Sequence, residues 1–150
     1  MRTHCSPCRV WVIALAALTA GPAWALDFRS VAVNAAVLYD APSLKARKLY
    51  IVNQGYPLEV VVVVEGWIKV RDANGEFTWI ESRALSDRRT VMIKAPVAAV
   101  RQAAAETAPV VFEAQQNVIL ELEDAAAGWL KVKHRDGQTG YIKASDVWGA

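Results

Sequence analysis

The feature that most limits what this chain can fold into is a match of the sequence to itself at an offset of 62 residues. Gly66–Leu85 (GWIKVRDANGEFTWIESRAL) lies over Gly128–Val147 (GWLKVKHRDGQTGYIKASDV) without a gap, and six of the twenty positions are identical. Average composition would give about one identity by chance. Conservative pairs such as Ile68/Leu130, Asn74/Asp136 and Trp79/Tyr141 strengthen the register. It continues upstream through Leu58-Glu59-Val60 over Leu120-Glu121-Leu122. One folding unit of about sixty residues is therefore used twice. The polar stretch Ser86–Thr90 is the seam. The organisation expected is residues 26–87 as one domain and 88–150 as the second, after a leader at 1–25.

Each copy reads as β structure. Val31, Val33 and Val37-Leu38 open the first, followed by Lys48–Val52, Leu58–Val64, Trp67–Arg71 and Phe77–Ile80. These runs are short, rich in Val, Ile and aromatics, and bounded by Gly, Pro, Asn or Asp. Asn74-Gly75 and Asp136-Gly137 suggest tight hairpins in which both central residues have positive φ. Leu130, Val132 and Ile142 alternate with Lys131, Lys133 and Lys143, so one face is buried and the other solvated. The fold class expected is all-β: two small five-stranded barrels in tandem, closure of each barrel hiding its strand edges. Val60–Val64 lacks alternation, which suggests cover on both faces or packing against the other copy. Glu59 and Glu65 flank it as gatekeepers. Val97–Thr107 has helix propensity, but its aligned counterpart Ala35–Lys45 contains Pro42 and reads as loop. The repeat outweighs the propensity there, with at most a short helical turn.

Charge and cysteine content matter only after the leader is set apart. Arg2 and Arg9 precede an apolar run from Val10 to Thr19, and Ala23-Trp24-Ala25 supplies an A-x-A cleavage pattern. That layout is a secretory signal peptide, cut after about Ala25. Cys5 and Cys8 fall within it and are discarded with it. Without Arg2 and Arg9 the 17 bases become 15, against 15 acids, and the remaining chain has no cysteine and a single histidine, His134. A disulfide scaffold, a thiol enzyme, a Cys-rich metal site and a basic nucleic-acid binder are thereby excluded. The product expected is periplasmic or secreted, without membrane insertion of the mature chain.

The repeated GW-x-K-V, NG/DG and W/Y-I pattern resembles the bacterial SH3 domain over Val31–Leu85 and Ile93–Val147. The second copy keeps the G-x-x-G-Y form at Gly137–Tyr141, whereas the first has Thr78 where glycine is usual. The loop motif decays in both: Leu38–Ser43 lacks its arginine and Val100–Ala105 its proline. The resemblance implies a recognition module of exported proteins, often beside cell-wall enzymes. Carried over from the Pro-rich-peptide binders of the wider SH3 class, the groove tryptophan falls on Trp67 and Trp129. The following aromatic falls on Trp79 and Tyr141, and the loop tyrosine on Tyr39, with Arg101 in its place in copy two. The groove proline becomes Glu81 or Lys143 and its tyrosine Ala84 or Asp146. Half the stacked rings that grip a polyproline helix are thus missing, which argues against that ligand.

The ligand-binding candidates are Tyr39, Asp40, Trp67, Trp79, Arg101, Trp129 and Tyr141. Trp67 and Trp129 either present a flat apolar face to a sugar or peptide, or pack against a loop or the other copy. Trp79 and Tyr141 read more as core or edge packing, Asp40 as a turn residue, and Trp148 as a cover for a barrel end. No nucleophile–base pair, metal-ligand spacing or carboxylate pair is visible, and His134 reads as a solvated turn residue. No catalytic residue, metal or cofactor is therefore expected. The function expected is non-catalytic binding of peptidoglycan, as cell-wall peptide or glycan, or of another envelope component. The alternative is a protein–protein interaction or scaffold role in the periplasm without glycan binding. Mutual packing of the copies across Ser86–Thr90 follows from the small size of each core.

Overall fold

The structure, a computed structural model, describes residues 26–150. The expected signal segment lies outside the described residues. The first copy runs β1 Phe28–Val31, β2 Ala36–Tyr39, β3 Lys48–Val52, β4 Pro57–Val64, β5 Trp67–Arg71 and β6 Phe77–Glu81, then a 3-10 turn Ser82–Ala84 and β7 Leu85–Ser86. The second repeats this order as β8 Thr90–Ile93, β9 Val97–Arg101, β10 Val110–Gln115, β11 Ile119–Ala126, β12 Trp129–Lys133 and β13 Thr139–Lys143, then the turn Ala144–Asp146 and β14 Val147–Trp148. The offset of 62 holds from the first strand to the last, well beyond the segment where residue identity reveals it.

Each copy is one antiparallel seven-stranded sheet, ordered β3-β2-β6-β5-β4-β1-β7 and β10-β9-β13-β12-β11-β8-β14. The last strand of each copy is not marked in the sequence and the first is marked only at Val31; the two pair with each other, Ser30 opposite Ser86 and Val147 opposite Ile93. β3 and β10 end their sheets unpaired on one side, so closure does not hide every edge as expected. Ile51 on β3 is 69% exposed.

The alternation places one residue in two inside. Val31, Ala36, Leu38, Leu58, Ile68, Val70 and Ile80 fill the first core. Their equivalents Ile93, Ala98, Val100, Leu120, Leu130, Val132 and Ile142 fill the second, joined there by Val91, Ala114 and Val147. Burying each such aliphatic side chain contributes roughly 1.5–3 kcal/mol. Equivalent bulges also recur: the pairing shifts between Val60 and Val62 in β4 and between Leu122 and Asp124 in β11.

Three expectations are corrected. The Asn74-Gly75 and Asp136-Gly137 hairpins have positive φ only at glycine, 86° at Gly75 and 98° at Gly137. Asp72 N–H donates to the Glu76 carbonyl and Gly75 N–H to the Asp72 carbonyl, which makes three-residue loops with glycine last. The asparagine side of the dipeptide is therefore free to be aspartate. Val61–Val64 is covered on neither account: these valines are between 40% and 61% exposed, because β4 runs past the core after its bulge. Glu59 is not a solvated gatekeeper. It is buried, and its carboxylate accepts from Arg71 Nε at 2.7 Å.

Between the copies a compact joint forms at positions where the repeat departs from itself. Trp148, equivalent to Ser86, meets the Phe28 ring edge-on at 5.1 Å, and Phe28 is equivalent to Thr90. Arg71, held by Glu59, stacks over the indole at 5.7 Å. The indole N–H donates to the Pro57 carbonyl at 3.2 Å, Thr90 Oγ1 to the Gly55 carbonyl at 2.6 Å and Arg89 Nη2 to the Gly149 carbonyl at 3.1 Å. Trp148 thus staples the two copies together, rather than covering the end of its own barrel. In the linker, the Arg88 carbonyl accepts from Ser30 Oγ in copy one, while the Arg88 guanidinium holds Glu121 in copy two.

Candidate functional site

The outer face of β2, β5 and β6 collects the aromatic candidates of copy one. Ile68, Val70 and Ile80 point inward, so Trp67 and Trp79 point outward. Tyr39 pairs directly with Trp79 across β2 and β6. Trp67 lies opposite Glu81, two residues on from Trp79, which makes the two tryptophans diagonal neighbours. Tyr39 meets Trp67 edge to face at 5.3 Å and 88°. Tyr39 is buried under this arrangement, while both tryptophans remain half-buried.

A cleft of about 320 Å³ adjoins the cluster, lined by Val33, Val37, Tyr39, Glu81, Arg83 and Ala84 among others. It sits where Ala84 stands in place of the ring expected of a polyproline groove. Arg83 Nε donates to Glu81 at 2.8 Å, and that bond, with the carboxylate charge, raises the guanidinium pKa further. The cleft therefore joins an aromatic wall to a paired acid and base. Glu81 was named from sequence only as the position of the missing groove proline, and Arg83 was not named; their signal was their place at and just after the end of the last aromatic strand.

Copy two presents the same face with different chemistry. Arg101 lies opposite Tyr141, as Tyr39 lies opposite Trp79. Trp129 lies opposite Lys143 and diagonal to Tyr141. Arg101 Nη1 donates to the Ala108 carbonyl at 2.8 Å, which ties the Arg101–Val110 loop together. Asp40 does the equivalent work in copy one: its carboxylate accepts the Arg47 N–H at 3.0 Å and faces Arg47 Nε at 3.4 Å. Lys143 pairs with Glu106 from the same loop, and that hydrogen bond lowers the Glu106 pKa. The structure thus gathers Tyr39, Trp67 and Trp79 on one surface and Arg101, Trp129 and Tyr141 on its counterpart. Asp40 shapes a loop at the margin.

His134 sits at the β12–β13 turn. Its Nδ1 lies 2.9 Å from Asp136, and the ring packs against Phe112 at 5.8 Å. The backbone N–H of Gln138 and the His134 ring hold the Asp136 carboxyl below its ordinary pKa. Among the described residues no group of three or more His, Cys, Asp or Glu is placed to hold a metal ion, and no helix is long and apolar enough to cross a membrane.

No curated protein matches the chain. Among solved structures it is similar to NlpC2 from Trichomonas vaginalis, at 18% identity and a TM-score of 0.38, over 83% of this chain and 48% of that one. NlpC1 from the same organism matches at 19% identity and a TM-score of 0.38, over 90% and 50%. An NlpC/P60 family protein from Bacillus cereus ATCC 10987 matches at 16% identity and a TM-score of 0.37, over 81% and 55%. The chain spans about half the length of these structures. The family model described as bacterial SH3 domain matches twice, over residues 32–87 and 94–149, in step with the duplicated strand order and paired aromatic faces. This chain is a member of the bacterial SH3 domain family, carrying two copies in tandem.

Proposed function

We propose that this chain is an exported, non-catalytic binding module that recognises cell-wall peptide or glycan through the outer aromatic faces of its two copies. The observation that carries the reading is the Trp67–Trp79 face, packed on the buried Tyr39, beside a cleft with a paired acid and base. A flat, partly exposed ring takes the apolar face of a sugar or a peptide side chain, and nearby charges fix its orientation. Family membership supports a recognition role at the envelope. His134, the one histidine among the described residues, is engaged with Asp136 and Phe112, which supports a role without chemistry. Residues 1–25, read as a signal peptide, would deliver the protein to the periplasm or beyond. The test is co-sedimentation of the purified protein with isolated sacculi. Binding above that of a control protein is expected; equal recovery in the supernatant would sink the proposal.

A second reading, a protein–protein or scaffold role, draws on the Val61–Val64 ridge. At the equivalent positions copy two carries Glu123, Asp124, Ala125 and Ala126. An exposed valine ridge on one copy alone suits a protein surface better than a glycan. Cross-linking in envelope extract, with a lysine at Val63 as control, separates the readings: a partner lost on Val63→Lys with sacculus binding unchanged favours the second.

A further inference from the structure

The joint creates a cleft that neither copy has alone. About 490 Å³ in volume, it opens between the end of β3 and the β5–β6 turn on one side and the ends of β8 and β10 on the other. That volume lies within the range of sites for small ligands. Its polar wall is Asn53, Tyr56 and Asn74 from the first copy and Lys94, Gln116 and Asn117 from the second. Ile51, Met92 and Ile119 add apolar surface. Among the described residues the two copies meet at one joint, and this cleft belongs to it.

The lining groups are notable for being uncommitted. Gln116 Nε2 donates to the Lys94 carbonyl at 3.0 Å. Asn74 and Asn117 use their backbone N–H groups in the turns that carry them. Among the described residues, no hydrogen bond or ion pair engages the side-chain amides of Asn53, Asn74 or Asn117, or the Lys94 ammonium. No carboxylate lines the cleft. Asp72, at the base of the same turn, is buried and accepts the N–H groups of Asn74 and Glu76. Burial, with the charge of Asp72, pushes the Tyr56 phenol above its ordinary pKa.

Free amides offer donors and acceptors together, the pattern a peptide backbone complements. One unpaired ammonium with no competing acid selects a carboxylate. β3 ends its sheet with an open edge and leads into the cleft through Ile51, Val52 and Asn53, so an extended chain can continue along it by strand addition. We infer that this cleft binds a short extended peptide ending in a free carboxylate, with its amides on Asn53, Asn74 and Asn117 and its carboxylate on Lys94. The site is separate from the aromatic faces and goes beyond the function proposed for them.

The test is an NMR titration of the isotope-labelled protein with N-acetyl-tetra-alanine as the free acid and as its C-terminal amide. With the free acid, signals of Asn53, Asn74, Lys94 and Asn117 should shift, and the amide should bind roughly tenfold more weakly. Lys94→Met, at an exposed position, should bring the free acid down to the level of the amide. Asn53→Ala, also exposed, should weaken both forms. Unmoved cleft signals, equal response to acid and amide, or shifts centred on Trp67 and Trp129 would each overturn the inference. Sacculus binding lost on Trp67→Ala and Trp129→Ala, with the cleft shifts retained, would keep the two sites distinct. Failure at the cleft alone leaves the aromatic-face reading standing.

Discussion

Ala127 sits at φ 51° in the left-handed region, just before Gly128 at φ 81°, in the two-residue turn that joins β11 to β12. A side chain there crowds the backbone at a cost of about 1–2 kcal/mol, whereas glycine or asparagine enters the region readily. Ala127→Gly is expected to stabilise the protein by about 1 kcal/mol, read as a higher urea midpoint at unchanged slope. A lower midpoint would contradict the strain argument. Thr78 shows the opposite kind of local misfit. It stands where copy two has Gly140, and its hydroxyl is buried without a hydrogen-bond partner. At Gly140 itself a Cβ would lie 2.6 Å from Val100 Cγ1 and 2.7 Å from the Arg101 carbonyl. The departure from the family pattern at Thr78 was readable in the sequence. What could not be read is that the first copy makes room for the methyl while leaving the hydroxyl unpaired.

At the scale of elements, the alternation of Leu130, Val132 and Ile142 with lysines predicted the inward face, and those residues are buried. The same reasoning failed for Val60–Val64. Periodicity reports which side of a strand is apolar; it does not report how far a strand runs beyond the sheet that covers it. The outer strand β7 was missed for a related reason. β7 is two residues long and pairs with β1 across more than fifty residues, as Ser86 does with Ser30, while β1 is held on its other side by β4. The linker has a pH dependence of known sign. The Arg88 hydrogen bond lowers the Glu121 pKa. A carboxyl with a lowered folded-state pKa contributes its stability in full above the ordinary carboxylate value and loses it as pH falls through the lowered one. The stability difference between the parent protein and Arg88→Gln should therefore be largest near neutrality and shrink in acid, as urea midpoints across that range would report. A difference that stays constant down to the lowest pH would show that the pair plays no such part.

For the whole molecule, the duplication was legible and the joint was not. Phe28, Trp148 and Gly149 lie outside the stretch of identity that revealed the repeat, and their importance is that they differ from Thr90, Ser86 and Asp87 at the matching positions. Residues that break a repeat are candidates for the contact between its copies, and that signal was available. Gly149 shows how close the contact is: a Cβ there would lie 2.6 Å from the Thr90 carbonyl and 2.9 Å from Pro57 Cβ. Trp148→Ala is expected to cost about 3 kcal/mol and to split one unfolding transition into two. Copy one should unfold first, since its core cluster has seven buried residues against ten. A single transition with unchanged midpoint would mean that the copies are joined by the linker alone.

The joint also bears on function. It fixes the two aromatic faces relative to each other, so both can meet one surface and add avidity only when their spacing suits it. Binding of sacculi by the parent protein, Trp67→Ala, Trp129→Ala and the double variant, each first shown to be folded, tests the central claim most directly. Weaker sedimentation for each single variant and loss for the double is the result expected. Undiminished sedimentation of the folded double variant would contradict the assignment of wall binding to these faces.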